Sequence, residues 1–128
     1  MSSLIVDNPR DWILKTLFNA DMPDYETFRV YTCLSRYISQ NREFIGVVEN
    51  VTPQIMRIKP LTDLADDCFF GVTFFSGYIQ KRSIRRGAPG VIFYKNTGKN
   101  AYSSIGYPAI AKNWDFWSNY INEHIVLD

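Results

Sequence analysis

The stretch from Leu61 to Arg86 constrains the fold of this chain more than any other, because its apolar residues recur at alternating intervals of four and three. This spacing keeps one stripe of a helix facing a neighbouring element. The stripe consists of Leu61, Ala65, Cys68, Val72, Phe75 and Ile79. The sequence therefore predicts a long helix over Leu61–Arg86 whose stripe forms the spine of the core.

Both ends of this predicted helix carry suitable signals. Thr62 is placed to cap the first turn, and Gly87 with Pro89 is placed to end the helix. Acidic side chains gather at the start and basic ones at the end, as the helix dipole favours. The acidic set is Asp63, Asp66 and Asp67, and we expect its role to be structural.

Two stretches leave a second interpretation open. Gly71, Gly77 and a β-rich composition weaken the helix over Phe69–Tyr78. Val91–Ile105 suits a helix that opens after Pro89, but short aromatic runs around Asn96–Lys99 also suit a β-hairpin. We favour helix in both places, and an α+β domain is the alternative.

Three further helices have clear starts. Asn8-Pro9 opens the first, because proline is favoured at the first helical position, and Asn19–Pro23 closes it. A second follows from Asp24, with an apolar face formed by Tyr25, Phe28, Tyr31, Leu34 and Ile38. Asn113 is placed to cap the last, whose apolar side holds Trp114, Trp117, Tyr120, Ile121, His124 and Ile125.

The fold class that follows is mainly α, a compact bundle of four to five helices. Between Phe44 and Lys59 the β-branched residues favour a small β-hairpin over a short irregular helix. The chain has 128 residues, of which 46% are hydrophobic, and no linker-like stretch interrupts it. We therefore expect one globular domain over 1–128, with a core rich in aromatic rings.

Net charge, targeting signals and cysteine spacing limit the classes of partner and the compartment that we expect for this protein. The formal net charge is +1, so attraction to nucleic acid or to an anionic membrane would have to be local. The sequence contains neither a membrane-spanning apolar run nor a secretory signal at Met1–Asn8. Cys33 and Cys68 lack metal-ligand spacing, so we expect two free, buried thiols in the cytoplasm and no membrane partner.

The sequence offers few residues of the types that common catalytic mechanisms use. His124 is the only histidine, and its place on an aromatic helix face predicts a partly exposed packing residue. Neither cysteine has the flanking cations that would activate a nucleophile. Phosphate-binding and dinucleotide-binding glycine motifs are absent from the sequence, and we expect no metal and no cofactor.

The first candidate binding surface is a basic cluster that consists of Lys81, Arg82, Arg85 and Arg86. On a helix, Lys81 pairs with Arg85 and Arg82 pairs with Arg86 at a spacing of four, which predicts two cationic ridges. These ridges suit the helix dipole, the acidic surface of a partner protein or a nucleic acid.

The second candidate surface is aromatic and consists of Phe116, Tyr120 and Tyr107. Helical spacing directs Phe116 and Tyr120 away from the ridge formed by Trp114, Trp117 and Ile121. These rings either lie beneath the predicted loop Ser103–Lys112 or remain available for contact.

The function predicted by these patterns is a non-catalytic protein-interaction module of the adaptor, secretion-chaperone or toxin-immunity kind. Its partner is another protein or a second copy in a homodimer. One alternative is a nucleic-acid-binding regulator that uses the basic cluster. The other is a small enzyme that works without histidine, cysteine or metal chemistry.

Overall fold

The computed structural model describes residues 9–39, 60–87 and 89–125 of the chain, and in these ranges it contains helices and no strand. The helices are α1 (Pro9–Phe18), α2 (Asp24–Ser39), α3 (Leu61–Arg86), α4 (Val91–Ser104), α5 (Pro108–Lys112) and α6 (Trp114–His124). The mainly α prediction is confirmed, and both ambiguous stretches are helical. The predicted hairpin Phe44–Lys59 lies outside the described residues.

The bounds of α3 are those that the sequence predicts, but its first cap differs. Pro60 occupies the N-cap position without a side-chain cap bond, and Thr62 lies one position inside the helix. At the other end, Gly87 adopts a left-handed conformation with φ of 64° and donates its amide to the carbonyl of Ser83. Glycine adopts this conformation without the steric cost of a Cβ.

The predicted loop Ser103–Lys112 contains an element that the sequence patterns did not indicate. Pro108 opens the short helix α5, which ends at Lys112 just before the N-cap position Asn113 of α6. Proline suits the first turn of a helix because its missing amide donor has no partner there. This short helix accounts for the sixth helix of a bundle predicted to have four or five.

The apolar stripe of α3 is only partly buried. Ala65, Cys68, Val72 and Ile79 lie in the core, whereas Leu61 is exposed and Phe75 is half-buried. Phe75 has non-helical dihedral angles, φ −130° and ψ 26°, so α3 kinks at this residue. The kink interrupts the regular spacing and leaves Phe75 against Phe70 and Phe74 rather than in the centre of the bundle.

Helices α3 and α4 pack as an antiparallel hairpin that supports the rest of the bundle. Near the turn Gly90 lies against Ser83, and at the far end Tyr102 contacts Phe69. Phe69 also meets Trp114 of α6 edge to face, with 5.0 Å between ring centroids. The predicted ring-rich core is present, and its largest fully buried side chains are Trp114, Trp117, Tyr102, Phe69 and Phe70.

Gly98 lies where α4 approaches α3 and α6 most closely, and this contact can be tested. A Cβ at Gly98 would lie 2.5 Å from Cη2 of Trp114 and 2.8 Å from Cβ of Cys68. We expect Gly98→Ala to lower the free energy of unfolding by about 1 to 3 kcal/mol, because a well-packed core resists added volume.

Gly77→Ala is the matched control, because a Cβ there meets nothing within 4 Å. Alanine favours helix over glycine by about 0.5 to 1 kcal/mol, so this variant should be more stable than the wild type. Urea denaturation of the two variants measures both effects. Equal or greater stability of Gly98→Ala would contradict the close packing.

Candidate functional site

The two cysteines are buried, whereas the histidine is exposed. Cys33 and Cys68 are free and buried, and Cys33 donates to the carbonyl oxygen of Asp66. Burial, with a smaller contribution from Asp66, raises the pKa of the Cys33 thiol well above its usual value, so the reactive thiolate is disfavoured. His124 is exposed and packs against Tyr120, with 4.2 Å between ring centroids.

The three aspartates near the start of α3 do not share the role that the sequence suggested. Asp63 lies in the first turn, but Asp66 and Asp67 are buried. Asp66 accepts hydrogen bonds from Arg29 at 2.8 Å and from Arg36 at 3.2 Å. Arg36 also binds Asp63 at 2.5 Å, so Asp63 lies in the first turn as predicted and also bonds to α2, while Asp66 and Asp67 are buried interhelical partners of α2.

Tyrosines complete this ionic cluster, which we define as Arg29, Arg36, Tyr37, Asp63, Asp66, Asp67 and Tyr102. The Tyr102 hydroxyl donates to Asp66 at 2.8 Å, and the Tyr37 hydroxyl donates to Asp67. Burial raises the pKa of the Tyr102 hydroxyl well above its usual value, and Cys33 and Asp66 add to that effect. The cluster therefore joins α2, α3 and α4 through buried bonds.

Arg29 and Asp67, two buried ionisable groups of the cluster, differ in whether they change charge near neutral pH. Burial opposes the charge of Arg29, but Asp66 and Tyr102 outweigh it and raise the pKa of the guanidinium. Burial raises the pKa of Asp67 to about 7, although nearby Arg36 lowers it. Arg29 is thus a permanent buried cation, whereas Asp67 changes its charge near neutral pH.

A third buried carboxylate, Glu26, connects α2 to α6. Oε2 of Glu26 accepts hydrogen bonds from Nε1 of Trp117 at 2.6 Å and from Nδ2 of Asn113 at 3.0 Å. Oε1 of Glu26 is buried without a partner among the described residues. Asn113 holds the predicted N-cap position of α6, but its side chain binds Glu26 instead of capping the helix.

Phe116 and Tyr120 project from α6 as the sequence predicts. Trp114, Trp117 and Ile121 are fully buried, whereas Phe116 is exposed and Tyr120 is half-buried. The two outer rings stack with 5.8 Å between centroids. The Tyr120 hydroxyl also donates to the carbonyl of Thr16 at 2.7 Å, so Tyr120 attaches α6 to α1 and leaves Phe116 as the more available ring.

Tyr107, the third predicted aromatic residue, belongs to a different group of rings. It stacks on Tyr25 with 5.9 Å between centroids, and its other neighbour is the Arg29 guanidinium, 5.6 Å from its ring centre. Further along α2, Phe28 lies 5.7 Å from Tyr31. We call Tyr25, Phe28, Tyr31 and Tyr107 the aromatic row.

The aromatic row corrects the predicted orientation of α2. The apolar spacing placed Tyr25 and Phe28 toward the core, but they are 53% and 55% exposed. The buried face instead carries Glu26, Arg29, Val30, Cys33, Leu34 and Tyr37. A count of apolar residues alone misses this orientation. The feature of the sequence that could have indicated this orientation is the pair Arg29 and Arg36, which lie two helical turns apart on α2 and bond to the carboxylates of α3.

Of the two predicted cationic ridges, the structure describes both side chains of the first, Lys81 and Arg85, and only Arg82 of the second. Lys81 and Arg85 are exposed, but the Arg82 guanidinium lies over the Tyr78 ring, 5.8 Å from its centre. The side chain of Arg86 lies outside the described residues. Ile84, Ile92 and Phe93 are exposed around the same turn, and we call Lys81, Ile84, Arg85, Ile92 and Phe93 the hairpin end.

Comparison with known proteins gives no assignment. The chain matches no protein-family model, no curated protein and no solved structure. Within the described ranges, none of the helices has the length and apolar character needed to cross a membrane, and no group of three or more histidine, cysteine or acidic side chains is arranged to hold a metal ion. A functional proposal therefore has to be argued from the surfaces of the protein.

The elevated pKa of Asp67 predicts a specific dependence of stability on pH. The folded carboxyl has a pKa of about 7 against an ordinary value of 3.8, so between these values the folded state holds a proton that the unfolded chain lacks. Stability falls as pH rises through this window, by about 1 kcal/mol per pH unit. We expect Asp67→Asn to remove this decline, so that its stability relative to the wild type increases from pH 5 to pH 7.

Denaturation curves across pH 5 to 8 measure the effect. Asp115→Asn is the control, because a hydrogen bond from Lys95 lowers the pKa of the exposed Asp115, and its titration lies below this range. Parallel stability profiles for the wild type and Asp67→Asn would show that Asp67 does not titrate there.

Proposed function

We propose that this chain is a non-catalytic binding module that recognises a partner protein through the aromatic row. The observation that carries the proposal is the exposure of Tyr25 and Phe28, which are both more than half accessible although they lie on the helix that holds the ionic cluster. Large rings exposed on a folded surface are typical of protein interfaces.

The aromatic row is held in place before any partner arrives. Tyr107 is half-buried and lies between Tyr25 and the Arg29 guanidinium. Arg29 is fixed in turn by its bond to Asp66. Rings that are already ordered lose little conformational freedom on binding, so more of their contact energy appears as affinity.

The charges around the row favour contact that depends weakly on salt. Arg29 is neutralised by Asp66, and the exposed charges nearest in the chain are Asp21 and Asp24. The rings themselves are uncharged. An interface of this kind depends on the burial of apolar surface rather than on exposed ion pairs, which salt would screen.

The two rival functions have less support. Nucleic-acid affinity grows with the number of cations that contact phosphates, and of the predicted basic cluster the described exposed cations are Lys81 and Arg85. The buried carboxylates Asp66, Asp67 and Glu26 are hydrogen-bonded between helices, which suits a structural role better than acid or base catalysis. We favour the binding module for these reasons.

The cellular setting of the module is also a proposal. Two free, buried cysteines suit a reducing compartment, and we propose the cytoplasm. An adaptor, a secretion chaperone and an immunity protein all act by binding another protein. The identity of the captured partner distinguishes these three roles, and a second copy of the chain would identify a homodimer.

Photocrosslinking in cells of the native host tests the aromatic row directly. Phe28 is replaced by photoreactive benzoylphenylalanine, and Asn100, exposed on α4, receives the same replacement as the matched control. We expect a discrete crosslinked protein from position 28 that position 100 does not give. The product should persist at high salt, because the contact is apolar.

Competition by added unlabelled protein tests whether the crosslink at position 28 is specific. Excess wild-type protein should abolish the crosslink, whereas the Tyr25→Ser, Phe28→Ser double variant should need at least ~10-fold more protein, since truncation of central interface rings typically costs more than 1 kcal/mol. Thermal denaturation should show that the exposed substitutions leave the fold intact. Identical products from both positions, or equal competition by the double variant, would overturn the proposal.

A further inference from the structure

The hairpin end holds the two most exposed of the large apolar side chains that the structure describes. Ile84 is 76% exposed in the last turn of α3, and Ile92 is 74% exposed in the first turn of α4. Phe93 is also exposed, and its ring meets Tyr94 edge to face. These side chains contribute little to the core, and exposed apolar side chains that lie close together on a folded surface are typical of contact sites.

Unpaired cations flank this apolar group. Lys81 and Arg85 precede and follow Ile84 on α3, and both are exposed without an ion pair to any described residue. Positions 81, 84 and 85 share one helix face because they are three and four residues apart. Positive charge and apolar surface therefore lie side by side at one end of the hairpin.

The surrounding sequence strengthens this positive character. Between Cys68 and Trp114 the chain has no acidic residue, and its seven basic residues are Lys81, Arg82, Arg85, Arg86, Lys95, Lys99 and Lys112. The next acid, Asp115, is bound by Lys95 at 2.5 Å. The whole chain has a net charge of only +1, but its basic and acidic residues are unevenly distributed along the sequence. The region around the hairpin end is therefore positive although the protein is nearly neutral.

We propose that the hairpin end docks on an anionic lipid surface, with Ile84, Ile92 and Phe93 entering the headgroup region. Lys81 and Arg85 contact the lipid phosphates. Stable attachment to a bilayer needs both apolar insertion and attraction of basic residues to acidic headgroups. The hairpin end supplies both within one short segment, so peripheral attachment replaces the sequence-based expectation of no membrane partner, which rested on net charge and on the lack of a spanning segment. This attachment is independent of the aromatic row on α2.

A lipid surface fits these side chains better than a protein or a nucleic acid does. Ile84 and Ile92 project at the end of the hairpin with three quarters of their surface in water, so a protein partner would have to supply a matching pocket. A headgroup layer deforms around them instead. Nucleic acid would use the cations but would leave the isoleucines unexplained.

Co-sedimentation of the full-length protein with lipid vesicles tests the proposal. One set of vesicles is pure phosphatidylcholine, and the other contains about one third phosphatidylserine, which supplies the negative surface potential. We expect the wild type to bind the anionic vesicles and not the neutral ones. Binding should weaken as salt is raised.

Two double variants separate the apolar contribution to vesicle binding from the contribution of positive charge. Ile84→Ser with Ile92→Ser should reduce the partition coefficient by about 100-fold, or about 10-fold for each side chain removed from the interface. Lys81→Gln with Arg85→Gln should reduce it by about 30-fold and flatten its salt dependence. Leu61→Ser is the matched control, because Leu61 is also an exposed aliphatic residue, and it should bind as the wild type does.

Three outcomes would overturn the proposal. The first is no binding of the wild type to anionic vesicles. The second is binding that the lysine and arginine substitutions abolish but the isoleucine substitutions leave unchanged, since that is adsorption by charge alone. The third is an Ile84-dependent complex with a protein in the absence of vesicle binding. None of these results bears on the crosslink at Phe28, so failure here is distinguishable from failure of the aromatic row.

Discussion

The buried ion pair between Arg29 and Asp66 is the interaction on which the rest of this structure depends. Arg29 cannot lose its charge, so its burial requires a carboxylate that stays bound. Asp66 meets this need at 2.8 Å while it also accepts from Tyr102. Removing one partner of such a pair leaves an uncompensated buried charge, so the pair sets how α2 lies against α3 and α4.

The orientation that the pair imposes on α2 links folding to the proposed function. With Arg29 and Glu26 turned inward, Phe28 lies on the outer side of the same helix, and Tyr25 in its first turn is exposed as well. The rings that an apolar pattern would place in the core thus become the aromatic row. The buried ionisable groups of α2 and α3 take part in structural bonds, and the exposed side chains that we propose for contact are rings on α2 and isoleucines with cations at the hairpin end.

The sequence predicted those parts of the fold whose signals are local. Proline at Pro9, the charged ends of α3 and the glycine at Gly87 each act through the nearest helical turn, and the helix bounds agree with them. The orientation of α2 was missed because it depends on Arg29 meeting Asp66, which lies 37 residues away. The kink at Phe75 lies just before Ser76 and Gly77, a glycine-serine pair of the kind at which helices bend, whereas the regular apolar spacing gave no sign of it.

A double-mutant cycle between Arg29 and Asp66 tests this account most directly. Arg29→Met and Asp66→Leu each leave a buried charge without its principal partner, and we expect each to cost about 3 to 5 kcal/mol of unfolding free energy. The double variant removes both charges, so it should cost less than the sum of the single variants by at least about 1.5 kcal/mol. Costs that add to within about 0.5 kcal/mol would contradict the claim that this pair organises the bundle.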